Sequence, residues 1–172
     1  FINELNRMPE SVQNVLLPAL DERLLIIPRI GEVRAAGGFQ VVATQNPVEY
    51  IATGHPSEAL KDRFEHIPLR HQGEEEERLI VRRVTGSANE ALVRAAVAVV
   101  RQTRCHPRLR KGASVRAASG IVSLAERLDG SAPGTAVHWP SVRSAALASL
   151  ATRVELRDEE GVDPADGLAS VV

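Results

Sequence analysis

The chain has 172 residues, of which 44% are apolar, 25% charged and only 3% aromatic, with a formal net charge of −1. That suits one ordinary folded domain, or a domain with a small satellite, and requires a core built from Val, Leu, Ile and Ala. The near-neutral charge supplies no field for nucleic acid, no apolar run approaches a membrane span, and the single Cys105 excludes an internal disulfide and fits a reducing, cytoplasmic compartment.

No signal peptide is visible, and the chain opens without Met inside an apparent strand. The expectation is therefore a piece whose amino-terminal part is missing. Residues 1–7 (FINELNR) run from apolar residues into Asn3-Glu4, as a buried strand does when its tip faces a ligand at the carboxyl edge of a parallel sheet. Pro9 and Glu10 suit the first turn of a helix. Val12, Val15, Leu16, Ala19 and Leu20 would form its apolar face, and residues 21–23 (DER) its end. Residues 24–38 read as a hairpin or two short strands with a glycine turn. Residues 39–43 (FQVVA) form the next strand, ending in the polar tip Thr44-Gln45-Asn46 before a loop over 48–56.

Ser57 caps a short helix that carries Arg63, and His66 to Leu69 reads as a short strand. Gly73 and the acidic run Glu74 to Glu77 open an amphipathic helix that ends in Arg82-Arg83, matching the helix dipole. The glutamate run reads as a solvated helix start. From Ala88 the composition turns Ala/Val-rich, giving helices over 88–104, from about 114 to 128 and from Trp139 to about Leu156, with a Gly/Ser/Pro loop at 129–135. The fold class expected is α/β: a parallel-sheet core over residues 1–85, a helical subdomain over 86–156 and a loose acidic tail over 157–172.

Two polar strand tips, an arginine on a short helix and Arg116 at a helix start supply a carboxylate, an amide and two cations. Those are the parts of a phosphoryl-transfer site: a carboxylate to deprotonate water, an amide to hold it, and guanidinium groups to spread developing charge. The five histidines and Cys105 make no metal-type set. Cys105 and His106, being adjacent, do not face each other on a helix, and a buried or half-buried thiol is the expectation. Arg104, Arg108 and Arg110 read as a basic surface, and Trp139 as packing between helices.

Residues 1–23 (FINELNRMPESVQNVLLPALDER) resemble the Walker B segment and following helix of MoxR-type AAA+ ATPases. Residues 41–47 (VVATQNP) resemble the sensor 1 strand, 57–64 (SEALKDRF) the arginine-finger helix, and 103–117 (TRCHPRLRKGASVRA) the sensor 2 region. The resemblance implies an ATPase with ATP and Mg²⁺ as cofactors. Glu4 would orient the attacking water and Asn46 would read the γ-phosphate side. Arg63 would reach a neighbour's nucleotide, Arg116 would couple a helical lid to it, and Arg7 would contact the next subunit. The hairpin over 24–38 would face a pore or substrate. A homo-oligomeric ring, expected as a hexamer, a protein client and a von Willebrand factor A domain partner are implied, with chaperone-like remodelling or client maturation as the role.

Two departures stand out. The Walker B aspartate position holds Asn3, an amide that brings no charge to a hard cation, so its contact to Mg²⁺ through water is weakened. Val115 stands where the family has Pro. The P-loop pattern is absent as well, because neither lysine (Lys61 before Asp62, Lys111 before Gly112) is followed by Ser or Thr. The 172 residues by themselves are therefore expected to bind ATP poorly. Two other readings stay open: a nucleotide-sensing scaffold subunit that does not hydrolyse, and an AAA+ nucleic-acid motor, against which the near-neutral charge argues.

Overall fold

The computed structural model describes residues 1–46, 56–130 and 136–157. Most of the loop expected at 48–56, most of that at 129–135 and the tail from 158 lie outside these. The chain divides into two compact units, Phe1–Pro68 and Leu69–Val172.

In the first unit, Ile2 and Ala43 pair in parallel. The Ile2 amide donates to the Val42 carbonyl (2.8 Å), the Thr44 amide to Ile2 (2.9 Å) and the Leu5 amide to Thr44 (2.8 Å). The two strand tips read from the sequence are thus neighbours, but as a bridge and not as the expected multi-stranded parallel sheet. Parallel pairing is the weaker kind per residue, and neither segment has a second strand beside it among the described residues. A 3-10 turn at Leu5–Arg7 leads into α1 (Glu10–Asn14) and α2 (Leu16–Asp21).

One helix was expected across this stretch. It breaks at Val15 because Pro18 has no N–H to give the Asn14 carbonyl. The buried face also differs: Gln13 and Ala19 are buried, while Val12 and Val15 are exposed. Gln13 has both ends of its amide engaged, with Nε2 donating to the Met8 carbonyl (2.8 Å) and Oε1 accepting from the Ser57 amide (3.0 Å).

β1 (Leu24–Ile27) and β2 (Gly31–Arg34) form the expected hairpin, in antiparallel register with Ile27 opposite Gly31. Pro28 suits the second position of its turn. Arg29 takes the positive-φ third position (φ 69°), and the Ile30 amide closes the turn on Ile27 at 3.1 Å. α3 (Glu58–Lys61) starts as expected on Ser57, whose hydroxyl accepts from the Leu60 amide at 3.3 Å. The strand expected at His66–Leu69 is irregular and exposed. Pro68 donates no hydrogen bond there, and no partner strand is present among the described residues.

The second unit is helical: α4 (Glu74–Thr85), α5 (Glu90–Cys105), α6 (Val115–Asp129) and α7 (Trp139–Leu150). α4 packs on α5 and α6 through Val81, so it belongs to this unit, whereas the sequence reading placed the boundary after it. On α5, Leu92, Val93, Ala96, Val97 and Val100 face inward, and on α6, Ala117, Ala118, Ile121, Val122 and Ala125. The spacing is that of one helical stripe, and each Val, Leu or Ile so buried contributes about 1.5–3 kcal/mol. α4 and α6 end on Gly86 (φ 70°) and Gly130 (φ 62°), left-handed positions that cost glycine little.

α7 stops at Leu150, not near Leu156. Glu155–Leu156 forms β4, which pairs antiparallel with β3 (Leu109–Lys111). Both strands are too short and too polar to carry a period-two signal. Arg110 and Lys111 flank Glu155 at 2.5 and 3.6 Å, and the Arg110 hydrogen bond holds the Glu155 carboxyl below its usual range.

Trp139 is exposed rather than packed between helices; the cluster there is filled by Ile121, Val122, Val142 and Leu150 together with several alanines. Cys105, the last residue of α5, is exposed rather than buried. Among the described residues, no helix is long and apolar enough to cross a membrane.

Candidate functional site

The parallel bridge gathers the polar tips of both segments. The Thr44 hydroxyl donates to Asn3 Oδ1 (2.9 Å) and accepts from the Glu4 amide (3.1 Å). The Asn46 amide donates to the Oδ1 of buried Asn6 at 3.4 Å. Asn3, Glu4 and Thr44 are thus joined at one end of the bridge, and Asn46 is held next to them through Asn6. Thr44 and Asn6 were not singled out as contributors. Their partners lie about 40 residues away, a separation for which a single sequence carries no signal.

Glu4 adopts a left-handed backbone (φ 54°, ψ 53°) at the start of the 3-10 turn. An L-residue there costs roughly 1–2 kcal/mol, and such outliers collect at functional sites. Its carboxylate pairs with the Arg7 guanidinium at 3.0 Å, both groups being partly exposed.

Arg63 is not beside Glu4. It lies just past α3 and makes a bidentate pair with Asp21 (Nε to Oδ1 2.6 Å, Nη2 to Oδ2 2.7 Å), while Nη1 donates to the Ala59 carbonyl at 2.6 Å. The pair anchors α3 to the end of α2. The Arg63 hydrogen bond holds the Asp21 carboxyl below its usual range and raises Arg63 in return. Both groups are solvent-facing, so the pair fixes geometry more than it stabilises.

Arg116 lies in the second unit, exposed on the first turn of α6. The segment before it is tightly held. The Ala113 amide donates to Thr103 Oγ1 (2.9 Å), and Arg104 Nε donates to the Ala113 carbonyl (2.8 Å). Arg104 Nη2 and Arg101 Nη1 reach the buried Glu77 at 2.7 and 3.0 Å. Glu77 is only 1% exposed, so it departs from the solvated glutamate run expected there, and Arg104 from the basic surface. Residues four positions along a helix share a face, and Glu77 shares that of the core residue Val81. Burial pushes the Glu77 carboxyl up, but hydrogen bonds from Arg104 and Arg101 outweigh it and hold the group below its usual value.

Asn3 Oδ1, Thr44 Oγ1 and the Glu4 carboxylate are oxygen donors, which suit a hard cation, but among the described residues joined here Glu4 alone brings a carboxylate. No cluster of three or more metal-type side chains occurs among the described residues. The set fits Mg²⁺ only as a cation carried largely by phosphate oxygens.

A search of curated proteins returns no match. A crystal structure from Cytophaga hutchinsonii, described as a "putative ATPase", aligns over 99% of this chain and 63% of its own, with 24% identity and a TM-score of 0.43. The chain thus spans less than two thirds of that protein. The family model of the AAA domain, dynein-related subfamily, matches residues 1–64. The similarity to the AAA domain rests on the stretch that holds Asn3, Glu4, Asn46 and Arg63.

Proposed function

We propose that this chain is part of a MoxR-like AAA+ ATPase that hydrolyses ATP at the subunit interfaces of a ring, coupled to remodelling or maturation of a client protein. The observation that carries the reading is the parallel pairing that ties Glu4, in a strained backbone, and Asn3 to Thr44, with Asn46 held through Asn6. Backbone outliers of this kind cluster at functional sites, where they hold a group in a fixed position.

In this reading Glu4 accepts a proton from water and turns it toward phosphorus. The Asn46 amide holds the water or a phosphate oxygen, and Thr44 fixes Asn3 and the Glu4 backbone. Arg63 offers its guanidinium to a neighbouring subunit's nucleotide, where charge develops. A head-to-tail contact that closes into a ring supplies that geometry, and a hexamer is the proposed form. Arg116, on the first turn of α6, is the proposed residue that couples a helical lid to the nucleotide. Mg²⁺, when bound with the nucleotide, neutralises phosphate charge; Asn3 would meet its water shell. The phosphate-cradling loop is not among these 172 residues, so the complete site belongs to a longer protein. A von Willebrand factor A domain protein is the proposed partner, and the cytoplasm the proposed location.

ATP turnover by the full-length protein, with Mg²⁺ titrated, tests this. Glu4→Gln is expected to lower kcat by about 10²–10⁴-fold, the range of a lost general base. Asn3→Asp is expected to lower the Mg²⁺ concentration needed. Turnover that appears only with Asn3→Asp would make the natural protein a nucleotide-sensing scaffold instead. Unchanged turnover in Glu4→Gln would remove the hydrolytic site from this sheet edge.

A further inference from the structure

We infer that Gln13 is a positioning residue that sets the Arg63-bearing helix against the segment carrying Glu4; the assignment rests on the hydrolytic reading above. Gln13 is 1% exposed. A buried amide needs partners for both its donor and its acceptor, since each unmet group costs about 1–3 kcal/mol. Gln13 meets both, at two distant places in the chain: the Met8 carbonyl at 2.8 Å and the Ser57 amide at 3.0 Å. Met8 closes the 3-10 turn that begins directly after Glu4. Ser57 is the cap of α3, whose Leu60 is fully buried, and Arg63 follows α3 directly.

α3 is a single turn of four residues, too short to hold a helical position unaided. Its placement therefore depends on Leu60, on the Arg63–Asp21 pair and on Gln13. Leu60 supplies burial, which is non-directional. The Asp21 pair uses the guanidinium itself, so it is given up whenever Arg63 reaches elsewhere. Gln13 alone of the three fixes the start of α3 in a set direction without engaging Arg63. A methionine at 13 would fill similar space but leave the Met8 carbonyl and the Ser57 amide unpaired. The amide thus sets where α3 begins relative to the Glu4 turn.

The test is a double-mutant cycle on ATP turnover by the full-length protein, using Gln13→Met, Arg63→Ala and the double variant, with thermal midpoints and amide exchange of residues 56–64 measured alongside. Gln13→Met is expected to lower kcat about tenfold with KM little changed, as a small misplacement of a catalytic group does. Exchange across 56–64 is expected to quicken. In the Arg63→Ala background the Gln13 change is expected to cost nothing further, because it acts through Arg63. Gln13→Asn keeps an amide donor and acceptor, one methylene short, and is expected to retain more kcat than Gln13→Met; it also carries the cycle if Gln13→Met does not fold.

Losses that multiply overturn the assignment while leaving the hydrolytic reading intact. So does a lowered thermal midpoint with kcat unchanged. Full turnover in Arg63→Ala, or none in the wild type, removes the hydrolytic role of Arg63 and this assignment with it.

Discussion

Among the described residues, three other than glycine have positive φ: Glu4 at 54°, Arg23 at 54° and Arg29 at 69°. The two arginines end α2 and turn the hairpin, places where glycine would serve without strain. Arg29→Gly and Arg23→Gly are each expected to stabilise the first unit by about 1 kcal/mol, read as a higher thermal midpoint. Glu4→Gly should gain stability for the same reason, since the exposed Arg7 pair it gives up contributes little. The difference lies in function: Glu4→Gly is expected to abolish ATP turnover in the full-length protein, whereas the arginine substitutions spare it. Equal stabilisation at all three positions, with activity lost at one, would mark Glu4 as strain kept for chemistry.

At the scale of elements, the start of α6 is set by its contact with the end of α5. A Cβ on Gly112 would lie 2.6 Å from Arg104 Cα and 2.7 Å from its backbone nitrogen, contacts that no side-chain adjustment relieves. Gly112→Ala is therefore expected to destabilise the helical unit by about 1–3 kcal/mol, measured by denaturant unfolding. By contrast Gly37→Ala, at a position with open space and no positive φ, is expected to be near neutral. The same crowding brings Ala113 within reach of Thr103 and Arg104. A shift at Gly112 should therefore displace the first turn of α6 together with Arg116.

Across the whole molecule, stability is unevenly spread. The helical unit buries a continuous cluster from Val81 to Leu150. Among the described residues the first unit buries only Leu5, Ala19, Pro56 and Leu60, together with the polar Asn6 and Gln13. Thermal unfolding is accordingly expected in two transitions, the helical unit melting last, followed by circular dichroism. That upper transition should depend on pH through Glu77. Its folded-state carboxyl lies below the ordinary value of 4.5, so just below that value the unfolded chain binds more protons than the folded one. The contribution is complete above about pH 4.5 and is lost as pH falls through the folded value. Glu77→Gln is expected to flatten this acid limb. Glu77→Ala is expected to cost on the order of 3 kcal/mol near neutral pH, since it strands Arg104 beside the core.

Local features could be read directly from the order of residues. The hairpin at 24–34, the Ser57 cap and the helical stripes of α5 and α6 follow from turn chemistry and periodicity, which act over a few residues. The two polar tips were legible for the same reason, as was the AAA-like wording of residues 1–64, and the tertiary structure made neighbours of those tips. Tertiary structure alone decided what depends on distant partners. It buried Gln13 and exposed Val12 and Val15, because the α1 face that matters meets Ser57, 44 residues on. It turned Glu77 inward to two arginines on α5, and it drew Arg63 to Asp21 rather than leaving it at an open edge. Hydrogen bonds and ion pairs are short-ranged and directional, and which groups they join is set by the fold that brings them within 3 Å.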